Sequence, residues 1–390
     1  MDWDHPDPEA HLTTLDAQGQ GRVLYITGSV SPIIEGLRIT GGNAADSNNQ
    51  IDSGGGVYIL TAQATIQSNF IYSNTAEEGG GLYLKSSASS LTGNRITDNQ
   101  VFADSGLDSG GNGGGVYLRS SSNATLTGNI IEGNRASGGA WSGGNGGGVY
   151  LYQSAAVLNE NIVHGNVASG PPGSGGGGLY LRWSAASLNA NRILSNTGGN
   201  GGALYLYRSD ATLTNNVVAI NKGIVSGLYI EGSSPRLLHT TIARNGGPTD
   251  TGMYIIADMY NTYSTVALTN TILVGHHVGL DVTANNTVTL QNTLWGSGGW
   301  TNATDSRGAG AILTGTVNLW GDPVFVASDS GDYHLGPGSA ALDAGVGAGV
   351  ACDMDGEPRP YQVPDLGADE YWPSGVLKYL YLPMIFRSSP

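Results

Sequence analysis

The chain of 390 residues contains a single cysteine, Cys352, so no disulfide within the chain can stabilise it. Positive charge is also scarce, because only three lysines accompany the arginines and the formal net charge is −15. A surface of this sign repels nucleic acid and anionic lipid. It also argues against an acidic polysaccharide as ligand unless a cation bridges the two. No apolar run approaches the ~20 residues that a transmembrane helix requires.

Glycine, in contrast, is abundant at 63 residues, and much of it belongs to a repeated motif, Gly-Gly-Gly-aliphatic-Tyr-aliphatic. Successive copies of the motif are separated by 25, 34, 33, 30, 25, 24 and 25 residues. The basic unit is therefore about 25 residues long, and three units carry insertions. The tyrosines of the motif are Tyr58, Tyr83, Tyr117, Tyr150, Tyr180, Tyr205, Tyr229 and Tyr254.

Each of these tyrosines lies between two apolar residues, as Tyr150 does between Val149 and Leu151. Such alternation predicts a short strand whose aliphatic side chains share one face. A second and a third short strand follow in most units, and no segment has the length or pattern of a helix. The sequence therefore predicts an all-β solenoid, a single parallel β-helix of roughly 10 to 12 coils, each winding once around a shared core.

Asparagine recurs at two fixed positions of the unit, five residues apart. At equal positions in successive coils the amides can hydrogen-bond along the stack and satisfy backbone groups of the turns. We interpret these columns as scaffold rather than as a site. The first column is Asn69, Asn94, Asn129, Asn161, Asn191 and Asn216, and the second is Asn74, Asn99, Asn134, Asn166, Asn196 and Asn221.

Residues 23–322 resemble bacterial right-handed parallel β-helix repeat proteins of the pectate-lyase-like superfold. The resemblance rests on Gly-Gly-Gly-Val-Tyr-Leu at 113–118 and Gly-Asn-Ile-Ile-Glu-Gly-Asn at 128–134. It implies right-handed winding after an incomplete N-terminal coil or cap at 1–22. Members of this family usually begin well upstream, and the acidic start of the chain is unlike a signal peptide. We therefore expect the sequence to be an N-terminally truncated fragment.

The rhythm changes from Gly321 onward, and residues 323–371 resemble the choice-of-anchor Q segment that ends many extracellular bacterial β-helix proteins. The resemblance rests on stretches such as Gly338-Ser339-Ala340-Ala341-Leu342-Asp343 and Asp365-Leu366-Gly367-Ala368-Asp369-Glu370. It implies an extracellular or cell-surface bacterial protein. We expect the segment to close the open edge of the last coil, because unpaired strand edges recruit other chains. The apolar tail at 372–390 is too short to span a membrane.

Three acidic residues of this segment, Asp353, Asp355 and Glu357, have the spacing that begins a calcium loop. The rest of the twelve-residue loop is absent, and the alternative is a carboxylate network that holds Arg359. Calcium is the only cofactor that the sequence suggests.

The tyrosines should point away from the core because their apolar neighbours point into it. Insertions at 100–112, 136–145 and 168–175 precede the tyrosine strand in three successive coils and should form a wall beside it. Aromatic rings next to cations are typical of sugar-binding surfaces, so this face predicts contact with a polysaccharide or a cell-surface glycan. The candidate glycan-binding residues are Tyr117, Arg119, Trp141, Tyr150, Tyr152, Tyr180, Arg182, Tyr205 and Tyr207.

Three other interpretations stay open. The tyrosines can be a cross-strand ladder that only stabilises the sheet, which makes the protein a scaffold. A polysaccharide lyase or glycoside hydrolase acting along the same face is the enzymatic alternative. However, Gly275-His276-His277 only partly matches a polygalacturonase motif, and these histidines fall where a surface turn is expected. Ice binding through Thr-x-Thr arrays is disfavoured because Val157 and Asn159 interrupt them. We assign no catalytic residue and favour a non-enzymatic protein.

Overall fold

The computed structural model describes residues 13–44, 52–103, 110–121, 123–139, 143–171, 173–246, 250–315 and 317–373. These residues form strands that pair in parallel from coil to coil, so the predicted all-β solenoid is confirmed. The helical residues among them are two short 3-10 turns, Gly298–Trp300 and Ser328–Ser330. Neither turn is long or apolar enough to cross a bilayer.

The first sheet takes one strand from each of eleven coils in the described residues, and we call it the tyrosine sheet. Its strands pair in register, so that Tyr117 lies between Tyr83 and Tyr150 on neighbouring strands. The strands are Leu24–Thr27, Val57–Leu60, Leu82–Lys85, Val116–Arg119, Val149–Tyr152, Leu179–Arg182, Leu204–Tyr207, Val225–Glu231, Thr251–Ile256, Val278–Val282 and Thr304–Arg307.

The second sheet contains 21 strands in the described residues, because the two remaining strands of each coil join there. Those at the second position of the coil are Ile33–Glu35, Thr65–Gln67, Ser90–Thr92, Thr125–Thr127, Val157–Asn159, Ser187–Asn189, Thr212–Thr214, Arg236–Leu238 and Ala311–Thr314. Those at the third are Thr14–Asp16, Arg38–Thr40, Phe70–Tyr72, Arg95–Thr97, Ile130–Glu132, Ile162–His164, Arg192–Leu194, Val217–Ala219, Thr241–Ala243 and Asn318–Gly321. In two late coils the positions fuse into Thr265–Val274 and Thr287–Gly296.

Four successive coils add a fourth short strand just before the glycine-rich turn. These strands are Thr75–Ala76, Gln100–Phe102, Arg135–Ser137 and Val167–Ser169. The last three coincide with the beginnings of the predicted insertions, so part of each insertion extends the solenoid instead of rising from it. The last two strands, Phe325–Ala327 and Asp332–Leu335, form an antiparallel pair outside the coils.

The aliphatic residues on either side of each tyrosine point into one continuous core. Val149 and Leu151 are fully buried there together with Leu158 and Val163 of the other two strands of their coil. Each coil thus contributes about four large apolar side chains, and the hydrophobic effect stabilises the stack by about 25 cal/mol per Å² of apolar surface removed from water.

Both predicted asparagine columns form at the corners of the coils and are buried. Asn161 shows the arrangement, since its Oδ1 accepts from the backbone N–H of Asn129 at 3.0 Å. Its Nδ2 donates to the carbonyl of Leu126 and to Oδ1 of Asn191, both at 2.9 Å. Each amide therefore satisfies backbone groups that the strands leave unpaired at the corner and also bonds to the next amide.

A third column, of serines, was not predicted from the sequence. The backbone N–H of Ser121 donates to Oγ of Ser154 at 3.0 Å, and that of Ser154 donates to Ser184 at 3.1 Å. The signal was present, because a serine follows the motif tyrosine by four residues in six units. The column continues through Ser87, Ser209, Ser233 and Ser264.

Residues 323–371 lie along the side of the coils, against the third strand position. Apolar contacts join Leu335 and Leu366 to residues such as Val217 and Ile272. The backbone N–H of Gly367 donates to the carbonyl of Asn270 at 2.9 Å. This placement differs from the expected closure of the last coil, where Trp320 remains 63% exposed. The segment covers apolar side chains on the outer face of these late coils.

Arg359 is the buried centre of this segment. Its Nη1 lies 3.2 Å from Oε2 of Glu370 and donates to the carbonyl of Asp365 at 3.1 Å. The predicted carboxylate partners of Arg359 were Asp353, Asp355 and Glu357, whereas among the described residues the carboxylate that pairs with it is Glu370. The same guanidinium donates to Nδ1 of His239 at 2.6 Å, which links the segment to the coils. Burial lowers the pKa of His239 to about 3, so this histidine is neutral.

We expect Asn161→Ala to lower the free energy of unfolding by about 1–3 kcal/mol, because the carbonyl of Leu126 and the N–H of Asn129 lose their partners. Asn123 is exposed, and Asn123→Ala should change it by less than about 0.5 kcal/mol. Chemical denaturation of both variants is the measurement. Equal effects at the two positions would contradict the assigned role of the column.

Candidate functional site

The predicted stripe of tyrosines exists, but it is not exposed. The rings point away from the aliphatic core and pack on one another, with centroids 4.8 Å apart for Tyr117 and Tyr150 and 5.2 Å apart for Tyr150 and Tyr180. Tyr150 is only 3% exposed and Tyr205 only 5%. The expectation that Tyr117, Tyr150, Tyr180 and Tyr205 offer their faces to a glycan is therefore wrong.

Neighbouring side chains and the glycine-rich turns cover these rings. A Cβ atom added to Gly175 would lie 2.8 Å from Cδ1 of Tyr205, which shows how closely the turn approaches the ring. Arg119 is hydrogen-bonded to Tyr83, and Arg182 to Tyr150. The Tyr205 hydroxyl donates to Glu231. Sequence alternation gave the direction of the rings correctly, but it contains no information on what packs over them.

Burial also removes these hydroxyls from acid–base chemistry at neutral pH. It raises the pKa of Tyr83 to about 12, and the pKa values of Tyr117 and Tyr180 rise for the same reason. Burial likewise raises the pKa of the Glu78 carboxyl, which lies close to Arg119. The column therefore acts as a neutral aromatic layer over the outer face of the sheet.

The accessible aromatic surface lies at the carboxyl end of the tyrosine strands. We call it the aromatic shelf and define it as Tyr152, Arg182, Trp183 and Tyr207. The Trp183 ring meets Tyr152 edge-on at 5.4 Å between centroids and Tyr207 at 5.9 Å. Arg182 Cζ lies 4.4 Å from the Trp183 centroid and within 6 Å of both tyrosine rings. Such cation–π contacts hold the rings in place.

Trp183 belongs to the shelf but was not among the glycan-binding residues predicted from the sequence. It is 36% exposed and has φ of 51°, the left-handed conformation. In most coils the turn after the tyrosine strand has this conformation, and the equivalent residues include Thr61, Ser86, Ser120, Gln153 and Arg208. A bulky residue in this region costs about 1–3 kcal/mol, and such strain clusters at functional sites. The feature that could have identified this residue from the sequence is a tryptophan at the position directly after the tyrosine strand.

An open depression of about 670 Å³ adjoins the shelf. Its walls combine two aromatic rings with small and polar residues, so apolar and polar groups alternate over a short distance. Sugar rings present the same alternation, with C–H faces and hydroxyl edges. The lining residues are Tyr152, Gln153, Ser154, Ala155, Trp183 and Ala185.

Two further residues predicted to bind glycan, Trp141 and Arg119, are not part of the shelf. Trp141 lies outside the described residues. Arg119 stands one coil beyond the shelf in the same register column, with Cζ 5.6 Å from the centroid of Tyr152. It thus extends the row of cations and rings along the outer edge of the tyrosine sheet.

Two carboxylates lie near the shelf, and both have structural partners. Asp258 is 4% exposed and accepts from the backbone N–H groups of Tyr260 at 2.9 Å and Thr262 at 2.8 Å. It also pairs with Arg208, so it holds the turn at 258–262. Burial raises the pKa of Glu231, which is hydrogen-bonded to Tyr205.

The two histidines of the partial polygalacturonase motif lie in different surroundings. His277 is exposed, as expected of a surface turn, but His276 is 4% exposed and occupies a place in the second asparagine column. Its ring lies between Asn245, at 3.4 Å from Nε2, and Asn302, at 3.3 Å from Nδ1. Burial lowers its pKa to about 4. The surface-turn expectation is thus wrong for His276.

The proposed calcium-loop residues do not point to one centre. Asp353 is buried, and its Oδ1 accepts from the backbone N–H groups of Asp355 at 3.0 Å and Glu357 at 2.8 Å. The Asp355 carboxylate instead faces His334 and Asp369, and the candidate ligand atoms of these three residues lie within 4.8 Å of one another. Calcium binding at Asp355 stays a prediction, whereas Asp353 organises its own loop.

Comparison with known proteins identifies the family. The profile described as right handed beta helix region matches residues 16–171 and 141–295. Together these ranges cover well over half of the sequence, so the chain belongs to the right-handed β-helix family. The comparison with curated proteins found no match.

Three solved structures found by comparison share little sequence with this chain. The Dettilon tailspike protein (gp208) is 15% identical with a TM-score of 0.36, and the alignment covers 75% of this chain and 61% of the tailspike. The pectate lyase Pel9A is 12% identical with a TM-score of 0.31, covering 88% and 97%. HetL, a pentapeptide repeat protein from the cyanobacterium Nostoc sp. strain PCC 7120, is 10% identical with a TM-score of 0.18, covering 76% and 90%.

The stability of the C-terminal segment should depend on pH through His334. Its Nε2 lies 2.6 Å from Asp355 and its Nδ1 2.5 Å from Asp332, and the hydrogen bond to Asp355 raises its pKa to about 9. Since the folded pKa is above the ordinary value of 6.5, the stabilisation is complete below pH 6.5 and disappears as the pH rises through 9. The melting temperature should therefore fall between pH 6.5 and pH 9.5.

His334→Gln tests this contribution, because the pKa shifts of Asp365 and Glu370 have other causes and remain in both proteins. Thermal unfolding at the two pH values should show a smaller fall for the variant than for the wild type. The same fall in both proteins would exclude His334 as the source.

Proposed function

We propose that this protein is an extracellular or cell-surface β-helix that contacts polysaccharide, without catalysis, through the aromatic shelf. The observation that supports this most is Trp183, a strained and partly exposed ring fixed between Tyr152 and Tyr207. Aromatic rings at interfaces contribute large contact area at a low entropic cost. The proposed location follows from the resemblance of residues 323–371 to choice-of-anchor Q segments.

The stacking of coils suits a repeating ligand. Neighbouring strands of a sheet lie about 4.8 Å apart, a distance similar to the advance of one sugar unit in an extended polysaccharide. Tyr152, Trp183 and Tyr207 belong to three successive coils, so successive sugars would meet successive rings. Weak contacts in a row can give useful affinity because they act together.

The enzymatic alternative needs a general acid and a second group beside the bound sugar. Near the shelf, Glu231 is bonded to Tyr205 and Asp258 to its own turn. We therefore place the binding function first, and assays for reducing ends and unsaturated products in the same screen decide the alternative.

We expect Trp183→Asn to weaken polysaccharide binding about tenfold or more, because the central ring of the shelf is lost. Asparagine adopts the left-handed conformation readily, so the melting temperature should stay equal or rise. Affinity electrophoresis against a panel of polysaccharides, with thermal unfolding of each variant, measures both effects.

Trp320→Ala is the matched control, since this ring is 63% exposed in the last coil and lies outside the shelf. It should leave binding unchanged. A Trp183→Asn protein that binds as the wild type does would contradict the shelf as the binding surface. A wild type that retains no polysaccharide leaves the scaffold interpretation in place.

A further inference from the structure

Some arginines of this acidic protein have a carboxylate partner and others do not, and Arg182 belongs to the second group among the described residues. Arg95, Arg192, Arg208, Arg244, Arg307 and Arg359 each have a carboxylate within 4.0 Å. Arg182 has no such partner in the part of the chain that the structure describes. Its charge is therefore not neutralised, although the chain as a whole carries a formal charge of −15.

The groups around Arg182 fix its guanidinium in place but do not accept hydrogen bonds from all of its N–H groups. The contacts are the three rings of the shelf and the Tyr150 hydroxyl. Its Nε is buried and has no hydrogen-bond partner, whereas the residue as a whole is partly exposed. Aromatic faces attract a cation but accept no strong hydrogen bond, so donors of the guanidinium remain available at the surface.

We propose that the aromatic shelf takes a sugar unit that carries a carboxylate, which Arg182 binds while the sugar ring lies against Trp183. This inference rests on the proposed glycan-contacting function and names the ligand class. The planar guanidinium matches a carboxylate in geometry, and such charge-assisted hydrogen bonds are stronger than neutral ones.

The inference reverses what the net charge of the sequence suggested. Whole-chain charge governs long-range repulsion, but that repulsion is screened beyond about 8 Å at physiological ionic strength. At contact distance, the attraction of an acidic ligand depends on the groups next to Arg182, not on the charge of the whole chain. The carboxylate that follows Tyr207 in the same register column, Glu231, is hydrogen-bonded to Tyr205, and burial raises its pKa. The charged group in contact with the Trp183 ring is Arg182.

The test compares polymers that share a backbone and differ in charge, at physiological salt and with the full chain. Carboxymethyl cellulose with hydroxyethyl cellulose is one pair, and hyaluronan with its carboxyl-reduced form is another. We expect the wild type to bind the carboxylated member at least about tenfold more tightly in one pair or both. Arg182→Gln should abolish this preference, and Arg182→Lys should retain part of it.

Arg236→Gln removes the same charge from an exposed position on the second sheet and should change nothing. Thermal unfolding of each variant shows whether it folds. If Arg182→Gln does not fold, the test uses the preference of Arg182→Lys for the carboxylated polymer instead. Equal binding of both members of each pair by the wild type overturns this inference alone. An unchanged preference in Arg182→Gln also overturns it, whereas retention of no polymer overturns the proposed function as well.

Discussion

The structure depends on hydrogen bonds at the corners of the coils. A chain that turns three times per coil leaves backbone groups at each corner without a strand partner, and a buried unpaired group costs about 1–3 kcal/mol. Asparagine columns at two corners and a serine column at a third supply the missing partners, as Asn161 and Ser154 show. Because each column extends through most of the coils, these coils stack in register, and their outward side chains align as well.

This alignment places like residues on top of one another along the solenoid. In the tyrosine sheet it produces a buried aromatic layer, since Tyr150 contacts Tyr117 and Tyr180 and is covered by Arg182. At the next outward position it produces the aromatic shelf, which remains accessible. The outer face of the sheet thus consists of a layer that stabilises the strands and a neighbouring edge that can contact a ligand.

The sequence predicted most of the features that repeat, although not the serine column, and it missed those that occur once. Periodic tyrosines and asparagines gave the coil, the core and two of the columns, because each is a property of local alternation. The burial of Tyr150 depends on side chains from other coils, and the lateral docking around Arg359 depends on contacts such as that with His239, 120 residues away. Trp183 was visible as a residue, but its importance comes from the left-handed turn that it occupies.

The central claim is that Tyr152, Trp183 and Tyr207 form the contacting surface while the neighbouring tyrosine column does not. Hydroxyl-radical footprinting with and without a retained polysaccharide measures this directly. Without ligand, oxidation should occur at Trp183 and at Trp320 and be slow at Tyr150, which is 3% exposed. With ligand, protection should appear at the shelf and be absent at Trp320. Protection confined to residues outside the shelf would contradict the account.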